Sequence, residues 1–418
     1  DPLWSRGLGD VYKRQYLMTG GASTPYSEGM PSQSSPALGT RPHNLSLILR
    51  LVHENGAQSR AALTEQTGLN RSTIADLVAE LVRRGLVDER VPDVAGRVGR
   101  PSPVVTASAR IVAIAVNPEV DAIEIAAVGL DRSILVRERL PNETVPTPGV
   151  VAATIAERIA AWREGPLADA RIAAIGVAVP GLVRASDGVV RNAPHLGWTD
   201  VPLADLVSAA TSSAAFVDND ATLGAIAEHR YGAGRGIDDV VYLNGGASGI
   251  GGGLIVNGKP VAGAGGYAGE FGQNRPRISA DADRRTADGV LEAEVSRRLL
   301  LDAVGLDTAD DETLDAELSE SGSAVVADEI TRQARVLAGA LANAVNVLNP
   351  ALVVLGGFLA TIADLRATQI ADDVRALAMP ESAETLEIRP AALGADRLLI
   401  GAAELALADL LADPGERS

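Results

Sequence analysis

Asp218, Asn219 and Asp220 form a run of three polar residues that follows the apolar stretch AAFV and precedes ATLGAIAEHRY. Further along, Glu270 stands among glycines in GGYAGEFGQNRP, and Gln273 lies three residues beyond it. Carboxylates and carboxamides each exchange two hydrogen bonds with adjacent hydroxyls, so Asn219, Asp220 and Glu270 suit a polyol ligand. The glycines beside Glu270 let the backbone approach such a ligand and adopt positive φ. A further stretch, VAVPGLVRASDGVVRNAPHLGW, brings Pro194, His195 and Trp198 after a Pro180-Gly181 turn, again with polarity that core packing does not need. Each group also has a plainer reading. Asn219 and Asp220 can cap a helix starting near Ala221, Glu270 can be a surface loop residue, and GIGGG more often marks a β-turn than a phosphate loop.

Groups of this kind have to be held at strand ends. From Ile111 onward, IVAIAVNP, AIEIAAVGL and SILVRERL read as three successive strands, followed by the helix GVVAATIAERIAAWRE and the buried strand RIAAIGVAVPG. A second half repeats the order with DVVYLNGG, GIGGGLIVNG and KPVAGAG as strands, then helices, then the strand PALVVLGG. SAVVADEITRQARVLAGALANAVNVLNP is a long helix that Pro350 stops. Duplicated α/β halves imply two lobes, with ligand bound in the cleft at strand ends.

The segment ahead of this body has a different pattern. NLSLILRLVHENG places Leu45, Ile48, Leu49 and Val52 on one helical face and ends at Gly56. Ser59 can cap a helix through Thr67, Gly68 permits a tight turn, and Asn70 or Ser72 can cap a second helix with Ile74, Leu77, Val78 and Leu81 inward. Such a pair is a helix-turn-helix, and LVDERVPDVAGRVGRPSPVVT adds a strand-turn-strand wing with Arg97 and Arg100 near its tip. The exposed start of the second helix, Asn70, Arg71, Ser72 and Thr73, is where a recognition helix meets base edges. Asn70 or Ser72 serving only as a cap, and Arg71 only as a solvated charge, are the competing readings.

Charge distribution agrees with a nucleic-acid module on a different body. The chain carries a net charge of −17, which by itself argues against phosphate binding. Residues 41–110, however, hold ten arginines against seven acids, while residues 1–40 balance, so the excess of acid lies beyond residue 110. No cysteine is present, which excludes disulfides and thiolate chemistry. No apolar run reaches the length of about 20 residues that a bilayer span needs, and the expected location is the cytoplasm, nucleoid-associated when bound to DNA. Residues 1–40, rich in Gly, Ser and Pro, are expected to be a disordered leader, with Met18 as the candidate start and the residues ahead of it foreign to the gene.

From about residue 44 to the end, the chain resembles the ROK family of repressors and sugar kinases, in particular its regulators with an N-terminal winged helix-turn-helix. The resemblance rests on VPGLVRASDGVVRNAPHLGW, VDNDATLGAIAEHRYGAG, GASGIGGGLIVNGKPVAGAGGYAGEFG, NVLNPALVVLGG and GADRLLIGAAELAL. It implies that Asn219, Asp220, Glu270 and Glu292 contact sugar hydroxyls. Departures from the family pattern matter as much. NPEVD, residues 117–121, stands where the kinases carry Asp-x-Gly-Gly-Thr, so Asn117 replaces the acid, and Glu119 and Asp121 add negative charge where phosphate would sit. Ala247-Ser248 replaces Gly-Thr in the second lobe. Asp220 retains the position of the kinase base, but without a phosphoryl donor it is expected to act as a hydrogen-bond acceptor. Gln273 replaces the histidine of the family's zinc site, and Asp283, Arg285 and Val290 stand at its cysteine positions, so neither a metal nor any other cofactor is expected.

The sequence therefore predicts an α/β protein with a winged helix-turn-helix over 41–108 and a two-lobed, actin-like, sugar-kinase-like ROK body of duplicated mixed sheets. The lobes are expected over 109–235 and 236–418, the latter including a dimerisation region. The expected function is a sugar-responsive repressor of carbohydrate genes, not an enzyme. DNA-contacting residues are Asn70, Arg71, Ser72, Thr73, Arg97 and Arg100. Effector-contacting residues are Asn219, Asp220, Glu270, Gln273, Glu292 and His195. Expected partners are operator DNA, a sugar or sugar phosphate, and a second copy of the chain or more, with no membrane. Competing expectations are an ATP-dependent sugar kinase and a regulator whose cleft no longer binds sugar.

Overall fold

Short polar residues ahead of the apolar runs become helix caps in the computed structural model, which describes residues 40–90, 103–278 and 280–415. Ser59 accepts a hydrogen bond from the Ala62 amide, Asn70 from Thr73, Thr147 from Val150 and Asn219 from Thr222. Each satisfies one of the donors that the first helical turn leaves without a partner.

Among the described residues, the winged module has helices Arg41–Asn55, Arg60–Thr67 and Arg71–Arg83 and three strands, β1 (Gln58–Ser59), β2 (Val87–Arg90) and β3 (Val104–Ala107). β3 lies between β1 and β2, antiparallel to both. Leu45, Ile48, Leu49 and Val52 of the first helix are buried, as are Ile74, Leu77, Val78 and Leu81 of the third. Gly68 takes φ 68° at the turn between the second and third helices, as the sequence predicted. Arg97 and Arg100 lie outside the described residues.

The body contains two five-stranded sheets of matching design. In the first, β4 (Ile111–Pro118), β5 (Ala122–Gly129) and β6 (Ile134–Pro141) form an antiparallel meander, and β7 (Arg171–Val179) and β11 (Ala215–Asn219) extend it in parallel from β4. In the second, β12 (Val240–Gly246), β13 (Gly249–Val256) and β14 (Lys259–Pro260) form the meander, and β15 (Leu352–Gly357) and β16 (Glu387–Pro390) extend it from β12. A small three-stranded antiparallel sheet, β8 (Leu182–Arg184), β9 (Val189–Ala193) and β10 (Trp198–Val201), follows β7. The expected strand KPVAGAG is shorter than its sequence suggested, because Pro260 has no amide to donate and Gly263 turns away at φ 72°.

Two helices lie between the sheets. The connecting helix, Asp220–Tyr231, packs on β12 and β13, while the terminal helix, Arg397–Ala412, packs on β4 and β7 and against the connecting helix. A Cβ at Gly401 would collide with the Leu223 carbonyl of the connecting helix, so only glycine admits this approach. The last helix of the expected second-lobe span of 236–418 thus packs on the first sheet. Leu407 and Leu411 of that helix join the apolar core of the winged module in one continuous cluster with Leu45, Ile48 and Leu81. Polar contacts strengthen this joint: Ser46 Oγ donates to the Leu411 carbonyl at 2.6 Å, and Arg84 to the Pro414 carbonyl at 2.6 Å.

Candidate functional site

A cavity of about 430 Å³ opens where the carboxyl ends of β4, β7, β11 and β12 converge. The structure brings all six expected effector-contacting residues into its lining: Asn219, Asp220, Glu270, Gln273, Glu292 and His195. Their side chains are not equally free. Asn219 Oδ1 accepts from the Thr222 amide at 2.9 Å, and its Nδ2 donates to the Gly181 carbonyl at 3.0 Å and to Asp220 Oδ1 at 3.2 Å. Its first task here is to cap the connecting helix and hold the Pro180-Gly181 turn, the plainer of the two readings the sequence allowed. Asp220 uses Oδ1 to accept from the Ala221 amide at 2.8 Å, while Oδ2 takes part in no hydrogen bond with another side chain among the described residues. Burial pushes its carboxyl up to about 6.

Glu270 is exposed at the mouth and begins a short 3-10 turn, with Gly269 before it at φ 101°. A Cβ at Gly269 would run into the Gly252 carbonyl, so the glycine keeps this turn close against β13. Burial, then the neighbouring Glu292, raise the Glu270 carboxyl above its ordinary value. Gln273 Nε2 donates to Glu292 Oε1 at 2.6 Å, so the two expected ligand contacts occupy one another. His195, in the 3-10 turn Pro194–Leu196, is exposed at the rim.

Glu119 also lines the cavity, although the sequence suggested only that it would repel phosphate. It follows β4 and reaches the β12–β13 turn of the other lobe, where Ser248 Oγ donates to its Oε2 at 3.0 Å. Burial, reinforced by Asp220, pushes its carboxyl up to about 8, so it is largely neutral at pH 7. Of the two acids that the sequence expected to add negative charge at NPEVD, Glu119 is thus largely neutral. Asp121 pairs instead with Arg139 at 2.6 Å. Behind Asp220, the buried Arg397 donates to Asn244 Oδ1 at 3.0 Å.

The segment bearing Asp283, Arg285 and Val290 is fastened by a residue that the sequence did not single out. Glu294 is fully buried and accepts from the amides of Arg285 and Thr286 and from the Thr286 hydroxyl at 2.7–2.8 Å, with Arg332 at 3.6 Å. Burial opposes its charge, but the Thr286 and Arg285 bonds and Arg332 hold its carboxyl below the ordinary range. Asp283 pairs with Arg335 at 2.8 Å, and Val290 is buried.

The far end of the connecting helix meets the winged module. Glu404 of the terminal helix accepts from Tyr231 Oη at 2.8 Å, pairs with Arg230, and lies 2.8 Å from Nε2 of His53 in the first helix. The other nitrogen of His53 faces the Leu130 carbonyl at 2.6 Å, and the Arg132 guanidinium lies 4.5 Å above the Tyr231 ring. Burial would raise the Glu404 carboxyl, but His53, Arg230 and Tyr231 override it and hold the value at about 2. A lone acid inside GAAELAL was the signal available in the sequence, since a charge on an apolar helix face needs a partner.

On the winged module, Asn70 Oδ1 accepts from the Thr73 amide at 2.8 Å and from Ser72 Oγ at 2.7 Å, so both of these polar side chains serve the cap. Arg71 is exposed and forms no ion pair among the described residues. Arg60 pairs with Glu89 and braces the first wing strand.

A winged helix-turn-helix fixed to a two-lobed body with a hydroxyl-binding type of cleft defines a DNA-binding regulator built on a sugar-kinase-like fold. The sequence pattern of the ROK family matches residues 113–409, and that of a winged helix-turn-helix DNA-binding domain matches residues 43–88. The chain belongs to the ROK family. It is 25% identical over 397 residues to a xylose repressor of Caldicellulosiruptor bescii, covering 89% of this chain and 97% of that protein. It is 33% identical over 247 residues to a glucokinase of Halalkalibacterium halodurans, covering 54% of this chain and 74% of that one. Among solved structures, a ROK family transcriptional regulator, a homolog of the E. coli MLC protein, has the same fold, with a TM-score of 0.72, 21% identity and coverage of 89% of this chain and 97% of that chain. A ROK family glucokinase from Streptomyces griseus, in complex with glucose and AMPPNP, is similar over 70% of this chain and 98% of that one, at 27% identity and a TM-score of 0.57.

Proposed function

We propose that this protein is a sugar-responsive repressor of carbohydrate uptake or catabolism genes that binds operator DNA as a homodimer or larger homo-oligomer in the cytoplasm. One observation carries the link between sugar and DNA. The connecting helix begins in the cavity at Asp220 and ends at Tyr231, whose hydroxyl touches the Glu404 and His53 pair at the winged module. A sugar that favours one lobe geometry biases this helix and, through it, the placement of the DNA-binding helices. In this reading Asn70, Arg71, Ser72 and Thr73 face the operator, with Arg97 and Arg100 from the wing. Asp220, Glu270, Gln273, Glu292 and His195 face the sugar, with Asn219 holding the wall. Self-association is assigned to the second lobe, where Val347, Leu377 and Met379 expose 81%, 58% and 60% of their surface.

Phosphoryl transfer is the disfavoured reading. Glu119 bonded to Ser248 takes up the space between the two lobe turns that a transferred phosphate would need.

The test is fluorescence anisotropy on the gene's own upstream DNA at fixed salt, with and without mono- and disaccharides. Xylose heads the panel because near full-length relatives are named xylose repressors. Specific binding that one sugar shifts supports the proposal, whereas binding that no sugar shifts favours a regulator with an empty cleft. Arg71→Ala with Thr73→Ala is expected to weaken operator binding by about 10-fold or more, and an unchanged affinity rejects the DNA-facing assignment.

A further inference from the structure

Among the described residues, the cavity is lined by four carboxyl side chains, from Glu119, Asp220, Glu270 and Glu292, and by no lysine or arginine. The amino end of the connecting helix, which elsewhere would attract an anion, is already satisfied by Asn219 and Asp220 accepting from Thr222 and Ala221. A second cavity of about 350 Å³ lies beyond Glu119, and there Arg139, Arg297 and Arg397 do occur. Glu119, Asn244 and Gly246 line both cavities and so form the partition between them. The Ser248 bond pins Glu119 in this partition from the opposite lobe.

Building on the sugar-binding function proposed above, we infer that Glu119 sets the charge class of the effector, confining the cavity to an uncharged sugar and refusing the phosphorylated form. A phosphate in this cavity would meet four carboxyl groups and, among the described lining residues, no lysine or arginine to pair with, and in a partly desolvated site that repulsion outweighs the hydrogen bonds a phosphate gains. A sugar hydroxyl, in contrast, donates to Asp220 and Glu270 and pays no such cost. With one oxygen accepting from Ser248, the protonated Glu119 carboxyl has an O–H to offer a sugar oxygen, which an ionised carboxylate lacks. The groups that bear on its proton are Asp220 and Asp121, which raise its affinity for it, and Ser248 and Asn117, which lower it.

Isothermal titration calorimetry on the full chain tests the inference with matched pairs: D-glucose and glucose 6-phosphate, N-acetylglucosamine and its 6-phosphate, D-xylose and xylose 5-phosphate. The wild type is expected to bind one free sugar at least about 100-fold more tightly than its phosphate. Glu119→Gln replaces the titratable carboxyl by a group that stays neutral at every pH, so its free-sugar affinity is expected not to depend on pH. Between pH 7 and 9 the wild type is expected to lose affinity by about 10-fold while Glu119→Gln stays flat. Glu119→Gly opens the partition and is expected to reduce discrimination against phosphate by about 10-fold or more. Equal or tighter binding of a phosphate by the wild type overturns the charge-class assignment and leaves sugar binding intact, as does discrimination unchanged in both variants. No binding of any free or phosphorylated sugar overturns the sugar-binding reading itself, and the inference with it.

Discussion

The connecting helix has an acid cluster at each end, half-buried in the cleft and buried at the junction, and burial acts on both in the same direction. At Asp220 and Glu119 the acids have few partners, and their carboxyls are pushed up to about 6 and about 8. At Glu404, three side chains from two helices converge, His53 from the winged module and Arg230 and Tyr231 from the connecting helix, and the value falls to about 2. Partner supply, not depth, makes the difference. The junction is complete within the protein and works as a joint, whereas the cleft leaves hydrogen-bonding capacity unused, which is the condition a binding site requires.

The comparison breaks most severely if the joint is not needed. Glu404→Ala leaves His53 and Arg230 without their carboxylate partner, and denaturant unfolding is expected to show a loss of about 3–5 kcal/mol. A loss below about 1 kcal/mol would show that the junction is solvated and not a fixed joint.

Substituting at the other end of the helix is expected to move stability the opposite way. Asp220→Asn removes a charge that the fold keeps at a cost, so at pH 8 the variant should gain on the order of 1–2 kcal/mol while losing response to any sugar that shifts the wild type. Thermal unfolding with and without that sugar measures both effects, and a destabilised variant would place Asp220 among the satisfied charges.

The pH profile separates the two clusters within one molecule. Glu404 has a folded value below its ordinary 4.5, so its contribution is present above that pH and is lost as pH falls toward 2. Glu119 and Asp220 have raised values, so their contribution is fully present below 4.5 and 3.8 respectively, and is lost as pH rises through about 8 and about 6. The thermal midpoint should therefore rise from pH 2 to about 4.5 and decline toward pH 8, and Glu119→Gln should flatten the upper limb. The smallest effect is expected from Tyr231→Phe, which removes one hydrogen bond to Glu404 and should cost about 1 kcal/mol in the same unfolding measurement. A much larger loss would mean that the hydroxyl also governs how His53 is held.

Much of the fold was legible because its signals are local. Leu45, Ile48, Leu49 and Val52 recur at helical spacing, Ser59 and Gly68 mark where a helix starts and stops, and the two halves repeat one strand order. The six expected residues all line one cavity. Asn219 there and Asn70 on the winged module take the cap reading that the sequence left open beside ligand contact, whereas the mutual bond of Gln273 and Glu292 and the largely neutral Glu119 had no local signal.

The sequence by itself determined the elements, their order and the residue types at the strand ends, because these follow from periodicity, capping and turn chemistry over a few residues. Only the tertiary structure decided which groups meet. Glu119 and Ser248 are 129 positions apart and His53 and Glu404 are 351 apart, and whether a buried acid is charged depends on the partners that packing brings to it across such separations.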